Sequence, residues 1–246
     1  MTADTAALRR IWKQAFGDTD EMLDTFFSTG FSKDRCHYLC ENSVPVSALY
    51  WFDCTLDGQR LAYLYAVATE ETHRNQGLAR RLMEQTHSIL QKKGYAGAIL
   101  VPGSKELFSL YEKLGYRTVC EVNEFSSQWG DAPVALTEIG AQQYAQLREQ
   151  YLPTGGVVQE GAAINFLQTY CRFFAGEDFL LAASIDKNTL VAQELLGNTA
   201  AAPGILRALD IPQGTFRTPG RERPFVMLLP LQKNCPKPTY FGLALD

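Results

Sequence analysis

LAYLYAVATEETHRNQGLARRLM, residues 61–83, decides the fold. Its first nine residues form a nearly unbroken apolar run rich in Leu, Tyr and Val, the signature of a buried strand. Residues 74–79, Arg-Asn-Gln-Gly-Leu-Ala, make a tight turn. Beyond it Leu78, Leu82, Met83, Ile89 and Leu90 recur on one helical face. The chain is therefore predicted to pass from a strand, through a glycine turn, into a helix. The first amides of a helix have no intrahelical acceptor and sit at the positive end of the macrodipole, so such a start binds anions. Gly77 and Ala79 are small enough for a diphosphate to approach the backbone, and Arg74 and Arg80 bracket the turn with positive charge. The turn is neither GxxxxGK(S/T) nor GxGxxG.

Downstream, Gly94 is placed to end the helix, and a strand is predicted at 96–101. Pro102-Gly103-Ser104 break that strand. Ser104 is positioned to cap a helix with Leu107, Leu110, Tyr111 and Leu114 at helical spacing. A strand at 116–122 and a polar region at 126–133 follow. Upstream, strands are predicted near 36–42, 45–55 and 59–69, the last two joined by Asp57-Gly58, a strong hairpin signal. Leu8, Ile11, Trp12 and Phe16 mark an opening helix, and Asp18 or Asp20 is placed to cap a second one carrying Leu23, Phe26 and Phe27.

The 246 residues suit one large or two small domains, and 46% hydrophobic with 20% charged residues is ordinary for a soluble globular chain. A net charge of −4 argues against a general nucleic-acid binder. No apolar run reaches membrane-spanning length, and MTADTAALRR lacks a signal core, so neither membrane insertion nor export is expected. Six scattered cysteines without a CxxC pair, and three histidines, read as reduced thiols in a cytoplasmic protein without a metal site.

The second half reads as a worn repeat of the first at an offset of about 140 residues. A strand at 133–139, helices at 142–151 and 161–174, and strands at 179–185 and 188–196 are predicted. A helix near 200–209 and strands at 215–218, 225–231 and 240–245 complete it. No second glycine turn of the 74–79 type occurs. The fold class is α+β with a mixed α/β sheet.

Residues 74–79 match Q/R-x-x-G-x-G/A, the pyrophosphate loop pattern of the GNAT N-acetyltransferase superfamily, and LYEKLGY at 110–116 resembles that family's tyrosine-bearing helix. The resemblance implies a GNAT-like acyl-CoA N-acyltransferase fold in two tandem halves. Residues 1–128 would carry the acetyl-CoA loop, and residues 129–246 would be a degenerate half lacking it. It further implies acetyl-CoA as co-substrate, no metal, and direct transfer of acetyl to a primary amine in a ternary complex. A small-molecule acceptor is expected, with a protein N-terminus or lysine as a further possibility, and neither nucleic acid nor membrane is expected as partner.

By position, the resemblance assigns pantetheine binding to the backbone of Val67, Ala68 and Thr69. It assigns the pyrophosphate to the amides of Asn75, Gln76, Gly77, Leu78, Ala79 and Arg80, assisted by the Arg74 and Arg80 side chains. Tyr111 would protonate the CoA thiolate, since a phenol stays protonated at neutral pH. Two positions depart from the family pattern. Ser104 stands where many relatives carry asparagine, and Tyr63 and Tyr65 stand where several carry Glu or His as a base. Glu70 and Glu71 read as solvated turn charges and His73 as facing solvent. The run at 72–78 also resembles Eis-type acetyltransferases, in which the C-terminal carboxylate acts with the tyrosine. Those enzymes have a third domain, and this sequence stops without one. The base is thus open between water, Glu70 and the carboxylate at Asp246. The missing strand base also leaves a non-catalytic acyl-CoA-binding sensor or scaffold as the alternative function.

Overall fold

The computed structural model describes residues 3–159 and 161–245. The first half runs α1 (Ala3–Phe16), α2 (Asp20–Thr25), β1 (Cys36–Glu41), β2 (Val44–Leu56), β3 (Gln59–Thr69), α3 (Leu78–Lys92), β4 (Gly97–Leu100), α4 (Lys105–Lys113) and β5 (Arg117–Gln128). The second runs β6 (Leu136–Ile139), α5 (Ala141–Tyr151), β7 (Val158–Gln159), α6 (Ala162–Leu167), β8 (Arg172–Gly176), β9 (Phe179–Asp186) and β10 (Thr189–Gly197). It ends with α7 (Ala202–Ala208), β11 (Gln213–Pro219) and β12 (Arg223–Pro230).

One mixed sheet carries the whole chain, in the order β1-β2-β3-β4-β12-β5-β11-β10-β9-β8-β6, with β7 added against β2. The pairs β3–β4 and β10–β11 are parallel. Asp57 (φ 50°) and Gly58 (φ 72°) make the two-residue turn that sets the β2–β3 register. Alternation along β3 feeds two cores. Leu61 and Tyr63 face a layer shared with Trp12, Phe26 and Phe166, while Ala62 and Leu64 face Leu82, Met83 and Leu90 of α3. A third core joins β9, β10 and β11 to Ile205 and Leu206 of α7.

The same succession occurs on both sides of β5. Two helices precede three antiparallel strands, then a helix leads to a parallel strand: α1, α2, β1–β3, α3, β4, and again α5, α6, β8–β10, α7, β11. Residue 128 is the last of β5, but the sheet does not divide there. Strand β12 inserts between β4 and β5, with Met227 opposite Leu100 on one side and Thr118 on the other. In turn β5 pairs with β11 from Gln128–Gln213 to Val122–Pro219.

Three sequence expectations change. The helix expected over 161–174 ends at Leu167, and Phe173 and Phe174 lie in β8. These neighbours bury into opposite cores, which an extended chain allows and a helix does not. The strand expected to end at 122 continues to Gln128, because β11 supplies a ladder for its alternating half-exposed residues. Residues 240–245 form no ladder strand. They are buried, and side chains satisfy the backbone: Gln159 Nε2 donates to the Leu243 carbonyl (2.8 Å) and Arg217 Nη1 to that of Gly242 (3.2 Å).

Candidate active site

Strands β3 and β4 pair only at Leu61–Gly97, Ala62–Ala98 and Tyr63–Ile99. Beyond Tyr63 they part. Ala66 takes a positive φ of 49°, and the β2–β3 register slips opposite it, between Ala48 and Tyr50. Such a bulge bends its strand away from its neighbour. On the other side β4 ends at Leu100, and Pro102-Gly103 leads into α4. Between the two lies a cleft of about 640 Å³. One wall is Leu64–Val67 with Leu100–Gly103, Leu107 and Tyr111; the rest comes from α1, α2 and the second half.

The glycine turn opens onto the start of α3 as the sequence predicts. Gly77 occupies the position before the helix with φ 75° and ψ 7°, and Asn75 has φ 63°. A Cβ built on Gly77 meets no atom within 4 Å, so open space faces the backbone there. Leu78, Ala79 and Arg80 are the first helical residues, whose amides have no intrahelical acceptor. A diphosphate fits this backbone cradle.

The side chains around the turn make contacts of their own within the chain. Arg74 donates to the carbonyls of Thr69 (Nε, 3.3 Å) and Gln14 (Nη2, 3.3 Å), tying the turn to β3 and α1. Arg80 pairs with Glu84 in solvent, 3.3 Å away. His73 is half-buried and paired rather than simply facing solvent. Its Nε2 lies 2.6 Å from Glu41 and its Nδ1 3.1 Å from Glu70, with side chains of His73 and Glu70 only 21% and 14% exposed. Glu70 also pairs with Arg10 at 2.9 Å, so it is an anchor of the turn rather than a solvated charge. Glu71 is exposed.

On β3, Val67 lines the cleft, whereas the Ala68 carbonyl accepts from Ser47 Oγ (3.0 Å) and the Thr69 carbonyl from Arg74. Leu64–Val67 are the β3 residues that line the cleft together with Tyr63. Tyr111 sits in the cleft with its ring edge-on to Tyr116, centroids 5.8 Å apart. Burial raises its phenol above the usual value. Tyr116 is fully buried, with its hydroxyl 2.7 Å from Nε2 of His87, whose imidazole burial lowers to about 4. Ser104 precedes α4, but its hydroxyl makes no cap bond. The Glu106 carboxylate two residues on is held below its ordinary range, the nearby Ser104 hydroxyl being the largest cause.

Asp18 lines the cleft and was not foreseen there. Thr19 caps α2 instead, its Oγ1 accepting from the Met22 amide at 3.2 Å. Asp18 Oδ2 accepts the indole N–H of Trp12 at 2.7 Å. An acid beside a helix start reads as a cap from sequence; only the fold brings it to the cleft. Asp246 lies outside the described residues. Tyr63, whose hydroxyl accepts from the Leu245 amide (3.1 Å), and Tyr65 line the cleft inside an aromatic cluster. None of the six cysteines forms a disulfide, and among the described residues no three His, Cys, Asp or Glu side chains are grouped to hold a metal.

Residues 2–119 match the family model of the acetyltransferase (GNAT) domain. No functionally curated protein gives a significant match. Among solved structures, a GCN5-related N-acetyltransferase from Kribbella flavida superposes with a TM-score of 0.70 at 18% identity, covering 94% of this chain and 71% of its own. One from Anabaena variabilis gives 0.72 at 13%, covering 94% and 71%. Eis1 from Mycobacterium abscessus gives 0.67 at 11%, covering 94% and 73%. At such identities the likeness is one of fold, and it extends through the shared sheet. Residues 2–119 thus form a GNAT acetyltransferase domain, and the likeness of fold to GNAT structures extends over 94% of the chain.

Proposed function

We propose that this protein is an acetyl-CoA-dependent N-acetyltransferase acting on a primary amine of a small molecule in a ternary complex. Residues 129–246 are, in this reading, a GNAT-like half without a cofactor loop of its own. The observation that carries it is a cleft that holds the half-buried phenol of Tyr111 between parted parallel strands, one of which leads into an open left-handed glycine at the start of α3. When bound, acetyl-CoA supplies a thioester, whose acetyl carbon gains a bond to the amine nitrogen as its bond to sulfur breaks.

The chain's own groups do the rest. The amides of Asn75–Arg80 hold the diphosphate anion, where fixed dipoles cost no reorganisation. The open edge of Leu64–Val67 offers backbone partners to an amide-bearing arm, much as a further strand would. Tyr111 Oη donates its proton to the departing thiolate and is reprotonated from water. The attacking amine arrives as an ammonium ion and gives up its protons to water, since Tyr63 and Tyr65 are not bases at neutral pH. Among the described residues no helix is long and apolar enough to cross a membrane, and with none of the six cysteines in a disulfide we place the protein in the cytoplasm.

The test follows CoA thiol release across a panel of amines, beside direct acetyl-CoA binding. Amine-dependent release is expected. Saturable binding with no release for any amine would convert the reading to an acyl-CoA sensor, and no binding would overturn it.

A further inference from the structure

We propose that the acceptor is an amine with a single cationic group on an aromatic or apolar body, and that Asp18 receives its ammonium. This narrows the N-acetyltransferase reading and rests on it. The part of the cleft not built from β3, β4 and α4 is walled by rings. Trp12 and Phe16 come from α1, Tyr170 follows α6, and Phe225 lies on β12. Trp12 continues this surface onto β3, its ring 5.5 Å from that of Tyr65. Ring faces take up apolar bodies and attract cations.

Two charged side chains line the cleft among the described residues, Asp18 and Arg223. Arg223 is already engaged, bonding Glu124 and lying over the Phe225 ring at 5.1 Å. Asp18 differs. Its neighbour is the neutral indole N–H of Trp12, and among the described residues no Lys, Arg or His pairs with it. One indole bond leaves most of a carboxylate's acceptor sites open. The indole also fixes the carboxylate's direction. A half-buried acid in an aromatic cleft, without a cation of its own, is matched by a cation on the ligand.

The same features select against other amines. An amino acid would bring its own carboxylate beside Asp18, with Arg223 already taken. A polyamine would lay further charges against rings. A polyhydroxylated amine would leave hydroxyls unpaired there.

The experiment uses the full chain with saturating acetyl-CoA and three probes: 2-phenylethylamine, L-phenylalanine and spermidine. L-Phenylalanine adds only a carboxylate to the first. We expect 2-phenylethylamine to have the highest kcat/KM. Calorimetry on the CoA-loaded chain, which cannot turn over, gives its Kd. Asp18→Asn should raise that Kd and the KM by roughly 10–100-fold, the loss of one charge-assisted bond. The kcat and the Kd for acetyl-CoA should stay near wild type. Asp18→Glu, which keeps the charge, should recover part of the binding, and separates a lost counter-ion from a disturbed Trp12. Preference for spermidine or L-phenylalanine, or an unchanged 2-phenylethylamine Kd in Asp18→Asn, would overturn the proposal while leaving an N-acetyltransferase. Absence of acetyl-CoA binding in the wild type would instead remove the reading on which it rests.

Discussion

The backbone amide of Leu245 donates to the hydroxyl of Tyr63 across 3.1 Å. Tyr63 is the last β3 residue paired with β4, at the mouth of the cleft, and Leu245 lies at the far end of the described chain. The wall of the cleft is thus completed by residues more than half the chain away, and β12 enters the same sheet. A chain truncated after residue 128 loses β12, one of the two partners of β4, and exposes a strand edge. It should aggregate or melt without cooperativity by circular dichroism, and residues 129–246 supplied as a separate polypeptide should restore folding. A monodisperse residue 1–128 fragment binding acetyl-CoA with full-chain affinity would contradict this.

Tyr111→Phe should lower kcat by roughly 10²-fold or more, as for loss of a positioned acid. Its Kd for acetyl-CoA should stay near wild type. Because burial raises the phenol, its active protonated form persists beyond the ordinary value near 10. The rate should therefore climb with pH as the amine loses its proton, with no falling limb below about pH 10. A fall beginning near pH 8.5 that Tyr111→Phe abolishes would contradict the assignment.

His87 makes stability pH-dependent in the acid range. Burial lowers its pKa from 6.5 to about 4. Above 6.5 both folded and unfolded states hold neutral imidazole and nothing is lost. Between 6.5 and 4 only the unfolded chain takes up the proton, so stability falls on acidification, by up to about 3 kcal/mol once pH is below both values. His87→Gln should flatten this part of the Tm–pH curve; a curve parallel to wild type would refute the account.

The second half has a polar anchor where the first has an aromatic one. Trp12 of α1 packs on Tyr65 of β3, whereas Arg148 of α5 forms two bonds to Glu194 of β10, at 2.6 and 3.0 Å, both side chains fully buried. Tyr144 adds a third at 3.0 Å. Arg148→Met leaves a buried charge unpaired and should cost about 3–5 kcal/mol in urea unfolding. The double change with Glu194→Leu should recover most of it. A single-variant cost below about 1 kcal/mol would show the pair to be dispensable.

The elements of the first half were legible because each carries a local signal. Asp57-Gly58 set the hairpin, Gly77 and Gly94 take left-handed conformations at the two ends of α3, and apolar periodicity gave the faces. What the sequence could not show is non-local. Nothing in residues 223–230 says that they enter between β4 and β5. The strand 123–128 needs β11 to become visible as one. Asp18 looks like a cap until Thr19 is seen taking that role, and Glu70 looks solvated until His73 and Arg10 close on it. Backbone signals placed the glycine turn at the start of α3, whereas the aromatic wall of the cleft is assembled from side chains distant in sequence.

The central claim, that acetyl-CoA lies between β3 and β4 with its diphosphate on the start of α3, is tested most directly by amide-resolved NMR titration with acetyl-CoA. The account predicts saturable shifts largest at Asn75–Arg80 and Leu64–Val67. Shifts concentrated elsewhere, such as at the β10–α7 junction, or none that saturate, would contradict it.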